Sequence, residues 1–171
     1  MKRKILIAVS APTKHGKSHS LKLLAKYLFD EAVFKKAYSY CVIENAGKMY
    51  EEFPHQNDRL WEKGDWTVTF YDKKGGSPRG YIVTAGDNIH EAKLKDRYDD
   101  IISQPTLDFV VGACRTANNV YQYLEKIDTK KFAFVKLSPN YLQGDRTKTE
   151  LDIRNQDFAK ELKDLVMRLC L

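Results

Sequence analysis

Eight residues near the amino end, Ala11-Pro-Thr-Lys-His-Gly16-Lys17-Ser18, bring together the groups that can hold a phosphate. Gly16 has no Cβ, so the backbone there can approach an anion's oxygens. Lys17 is a compact cation on a flexible stem, and the Ser18 hydroxyl can ligate a hard divalent cation. A tight loop that opens a helix also turns several backbone N–H groups toward one point, and the helix dipole adds roughly half a positive charge there. The chemistry suited to this cluster is neutralisation of the terminal oxygens of a polyphosphate, with Mg²⁺ bridging them.

The flanking pattern predicts elements that would position such a loop. Lys4 to Val9 (KILIAV) is a nearly continuous apolar run, as expected for a strand buried on both faces of a parallel sheet. Ser18 to Phe29 then reads as a helix. Leu21, Leu24, Ala25 and Leu28 form one apolar face, with Lys22 and Lys26 expected to turn outward. Further strands are predicted at Ser39 to Ile43, Phe109 to Ala113 and Phe132 to Leu137. Trp66 to Tyr71 and Gly80 to Ala85 flank Asp72-Lys-Lys-Gly-Gly-Ser-Pro78 and form a hairpin with one antiparallel member. Helical spacing recurs over Asn88 to Ser103, through Ala117, Val120, Tyr121 and Leu124, and from Phe158 to Leu169. About six strands and four helices result, an α/β chain with one domain over residues 1–171 and helices on both sheet faces. Residues 45–65 and 138–155 fit no element and stand as candidate lids or binding loops.

Composition bounds the partners. The 171 residues are 43% hydrophobic and 30% charged, with mean hydropathy −0.53. No apolar run approaches the roughly 18 residues that span a bilayer. The cytosol is the default compartment, and no membrane partner is expected. The net charge of +6 is concentrated: residues 1–36 hold nine Lys or Arg and two acids, leaving the other 135 residues at −1. A basic patch around one loop suits a small anion better than nucleic acid. Cys41, Cys114 and Cys170 share no motif and read as buried free thiols.

The loop resembles the Walker A motif of P-loop NTPases, G-x-x-x-x-G-K-[ST], with Ala11 where the pattern has its first glycine. The whole pattern is similar to small stand-alone bacterial ATP-binding proteins. The resemblance implies a three-layer fold with a mainly parallel sheet and a nucleotide at the carboxyl ends of its strands. Pro12, Thr13, Lys14, His15, Gly16, Lys17, Ser18 and His19 would then surround the phosphates, with Ser18 on Mg²⁺. His15 is either an acid or base or an ordinary loop position.

Four polar strand ends should meet on the same rim. Asp87, after Tyr81-Ile-Val-Thr-Ala-Gly, is the candidate Walker B acid that holds Mg²⁺, or else an N-cap for a helix opening at Asn88. Glu44 would take the metal or orient water. Arg115 would neutralise charge on the γ-phosphate or form a surface salt bridge. Asp108 begins its strand and belongs to the far end. Val83 stands where GTPases carry the aspartate of D-x-x-G and no N-K-x-D occurs, so ATP is the expected nucleotide. Asp96-Arg97-Tyr98 spells a thymidylate-kinase tripeptide but falls inside a helix. Arg146, Lys148 and Arg154, or Arg59 and Lys63, would supply the arginine-bearing lid of a kinase. The expected activity is slow hydrolysis of MgATP, with a protein partner or a second copy supplying missing groups. Two alternatives are transfer of the γ-phosphate to a small acceptor and nucleotide sensing without hydrolysis.

Overall fold

The computed structural model describes residues 4–12, 16–54, 64–116, 118–127, 131–139 and 147–171. Its centre is β1 (Lys4–Ser10), which pairs in parallel with β6 (Phe109–Cys114) on one side and β7 (Phe132–Leu137) on the other. β5 (Pro78–Val83) continues the parallel set beside β6. Beyond it lies an antiparallel wing of β4 (Thr67–Tyr71), β2 (Tyr40–Asn45) and β3 (Lys48–Tyr50). The seven strands run in the order β3-β2-β4-β5-β6-β1-β7.

The sheet is therefore mixed. Five strands point one way, β3 and β4 oppose them, and pairings divide equally into three parallel and three antiparallel. The expected single antiparallel strand is corrected to two. The second, β3, arises inside the stretch read as irregular, where Ala46 and Gly47 both take positive φ, 48° and 79°. A two-residue turn of that kind matches strand twist and closes a hairpin.

Alternation along β1 divides the core. Ile5, Ile7 and Val9 face α1 (Lys17–Asp30), α2 (Ala32–Ala37) and α5 (Lys148–Cys170), while Leu6 and Ala8 face α3 (Leu94–Ser103) and α4 (Asn119–Glu125). Helices thus cover both faces, as the sequence implies. α2 was not expected: it has one buried anchor, Phe34, whose ring stacks on Tyr38 at 4.4 Å, too little for a periodic signal. The helix expected from Asn88 starts later. A 3₁₀ turn at Glu91–Lys93 comes first, and Lys93 takes φ 56° before α3 begins.

α5 corrects a larger expectation. It begins at Lys148, because Thr147 and Glu150 form a reciprocal capping box. Lys148 and Arg154 are therefore helical, and the second candidate lid shortens. Lys22 is a further correction: it is 4% exposed and its ammonium lies over the Trp66 ring. All three cysteines are buried and outside any disulfide. Among the described residues, no helix is long and apolar enough to cross a membrane.

Candidate functional site

Because β1, β2, β5, β6 and β7 run the same way, their carboxyl ends share one rim. Asp108 lies at the opposite end, where Arg79 at 2.6 Å and the Tyr38 hydroxyl at 3.0 Å engage its carboxylate. The chain leaves β1 with one more ladder bond, from the Ala11 N–H to the Cys114 carbonyl at 3.2 Å. Ala11 is fully buried there, so its methyl packs within the rim.

The loop returns at Gly16, which takes φ 74° as the N-cap of α1. This left-handed conformation suits glycine. The Gly16 carbonyl accepts the first helical bond, from the Ser20 N–H at 2.8 Å. Among the described residues no side chain caps α1, and a helix N-terminus of this kind turns backbone N–H groups toward an anion. Lys17 folds back across the loop and donates from Nζ to the Ala11 carbonyl at 2.8 Å and the Pro12 carbonyl at 2.9 Å. It is 7% exposed. Burial pushes its pKa below the ordinary lysine value, and the nearby Asp87 carboxylate opposes that shift. Pro12 and His19 are exposed. Thr13, Lys14 and His15 lie outside the described residues, as do Arg59, Lys63 and Arg146.

Two contacts that the sequence did not reveal brace the loop. Arg154 and Asn155 of α5 are both buried, and Arg154 Nη2 donates to Asn155 Oδ1 at 2.9 Å. A Cβ at Gly16 would collide with Asn155 Oδ1 and stand 2.8 Å from Arg154 Nη2. On the other side, the Ser18 hydroxyl donates to the Thr84 carbonyl at 3.3 Å. Thr84 in turn exchanges bonds with Trp66: its N–H donates to the Trp66 carbonyl at 2.9 Å, and its Oγ1 accepts from the Trp66 N–H at 2.7 Å.

Asp87 follows Thr84 on the same turn. Its carboxylate receives Arg115 Nε at 2.9 Å. That bond is the main reason its pKa falls below the ordinary aspartate value; partial burial opposes the shift, and Arg115 and Lys17 add to it. Asp87 does not cap a helix. Asn88 Oδ1 accepts the His90 N–H at 3.1 Å instead. The turn is held from α4: Asn118 Nδ2 donates to the Gly86 carbonyl at 2.8 Å and the Asp87 carbonyl at 3.0 Å, and Asn119 Nδ2 donates to Asn88 Oδ1 at 2.8 Å. Backbone anchoring leaves the Asp87 side chain directed by Arg115 alone among the described residues.

Lys17, Ser18, Asp87 and Arg115 are thus brought to one part of the rim. Glu44 is not placed with them. It pairs with Arg97 of α3 at 2.8 Å, and Arg97 Nη1 donates to Thr67 Oγ1 at 2.5 Å, two strands away on the antiparallel wing. Among the described residues no group of three or more His, Cys, Asp or Glu could hold a metal. Ser18 and Asp87 offer two oxygen donors, a set that suits Mg²⁺, which keeps several waters. Comparison with protein-family models, with curated proteins and with solved structures finds no match for this chain.

Proposed function

We propose that the chain binds a magnesium nucleoside triphosphate, ATP by preference, and hydrolyses it slowly. The observation that carries this reading is the posture of Lys17. A nearly buried ammonium resting on two backbone carbonyls of its own loop is a cation whose direct hydrogen-bond partners among the described residues are neutral. An incoming phosphate would replace them with charge-assisted bonds, which are roughly twice as strong as neutral ones. The uncapped N-terminus of α1 and the left-handed Gly16 support the same reading.

In the proposed complex Lys17 meets the β and γ oxygens, and Ser18 and Asp87 hold Mg²⁺ and its water shell. Arg115, now paired with Asp87, turns toward charge developing on the γ-phosphate. Mg²⁺ supplies charge neutralisation across the phosphates. The residues supply position.

A second reading, transfer of the γ-phosphate to a small acceptor, is favoured by a cavity beside the Asp87 turn, lined in part by Ala85. Incubation with γ-labelled ATP separates the two. Free labelled phosphate without any added acceptor supports hydrolysis; label appearing only on an added acceptor supports transfer. Unchanged ATP despite binding would contradict both and leave a nucleotide sensor.

A further inference from the structure

The cavity beside the Asp87 turn has a volume of about 460 Å³, within the range of small-molecule sites. Glu44 and Asn45 of β2, Asp65 and Trp66 before β4, Ala85 after β5, and Arg97 of α3 contribute to its wall. It adjoins the loop through a short chain of hydrogen bonds, since Trp66 bonds to Thr84 and Thr84 accepts from Ser18.

Its charges are unequally committed. Arg97 gives one guanidinium nitrogen to Glu44 and the other to Thr67, so its cation is already neutralised. Asp65 has no ion-pair partner within 4 Å among the described residues, so the described lining side chains hold two acids against one base; the buried Lys22 ammonium, over the Trp66 ring, is the cation that offsets Asp65 from behind. Loss of water raises the Asp65 pKa, Asp87 adds to that rise, and Lys22 opposes it. The side chains left to meet a ligand are therefore mainly acceptors. A phosphorylated molecule would face two carboxylates and compete with Glu44 for the one lining guanidinium among the described residues, whereas a donor-rich neutral or cationic molecule would satisfy Asp65.

We propose that this cavity binds a small neutral or positively charged ligand rich in hydrogen-bond donors, such as a polyol or a primary amine, and rejects phosphorylated ones. That such a ligand sits beside a nucleotide rests on the reading above; that it binds does not. The site discriminates by charge: Asp65 attracts the donor, the Glu44–Arg97 pair closes the wall against anions, and Trp66 supplies the apolar floor.

The test is titration of the ¹⁵N-labelled chain with myo-inositol, putrescine and, for comparison, AMP, following the Trp66 indole and Asn45 amide resonances by NMR. Saturable shifts with myo-inositol or putrescine but not with AMP are expected. Asp65→Asn, which preserves size and shape, should weaken putrescine binding about tenfold or more, the loss typical of a charge-assisted bond. Silence with every probe, AMP acting at the same resonances, or unchanged putrescine affinity in Asp65→Asn would overturn the proposal. The Gly16 amide in the same spectra reports MgATP separately. A cavity that responds while Gly16 stays silent sinks the nucleotide reading alone, and the reverse sinks this one alone.

Discussion

Asn155 Oδ1 occupies the space that a Cβ on Gly16 would need, so a helix at the carboxyl end of the chain dictates which residue can stand at the start of α1. The relationship is doubly restrictive, because Gly16 also holds φ 74°.

Gly16→Ala should therefore destabilise the fold by about 2–5 kcal/mol, combining left-handed strain with overpacking. Urea unfolding would show a lower midpoint at unchanged slope. In the background of Asn155→Ala the overpacking share should be relieved and only about 1–2 kcal/mol should remain. Equal penalties in both backgrounds would mean that the contact contributes nothing.

Asp87→Asn separates two roles for one carboxylate. Asp87 caps no helix, Asn88 instead closing a local turn onto the His90 N–H, and the bond to Arg115 is half-exposed, worth about 0.2–1 kcal/mol. The melting temperature should thus move little while Mg²⁺-dependent turnover falls by tenfold or more. A large thermal loss with intact turnover would reverse the assignment.

Proton uptake offers a third check. Burial depresses the Lys17 pKa, so folding disfavours its charged form: the unfolded chain binds more protons, and the Lys17 contribution to stability rises with pH between the depressed value and the ordinary 10.5. A bound polyphosphate acts in the opposite direction and raises that pKa. Calorimetry at alkaline pH in buffers of different ionisation enthalpy should therefore reveal proton uptake on MgATP binding, absent in Lys17→Met.

The parts of this architecture legible in the sequence are those written in adjacent residues. β1 is a nearly continuous apolar run buried beyond Lys4, and β7, an edge strand with mostly half-buried positions, also lies where the pattern puts it. Gly16, Lys17 and Ser18 are consecutive between a strand and a helix, so their place at the start of α1 is legible in the sequence. β3 escaped because its three residues are largely exposed and edge-paired. The first turns of α5 were read as loop although Thr147 and Glu150 have capping-box spacing. The Arg154–Asn155 brace was then hidden, because it depends on a helix meeting a loop more than 130 residues away. Glu44 shows the converse: a polar residue at the right end of a strand, drawn instead to Arg97 by strand order that no local pattern encodes.

The most direct test of the account is the affinity of Lys17→Ala for MgATP, measured by titration calorimetry beside the unaltered chain with melting curves for both. Loss of the cation should weaken binding by at least tenfold, the scale of one charge-assisted bond, with the fold intact. Equal affinity in the two proteins, or no binding by either, would contradict the claim that this loop holds a triphosphate.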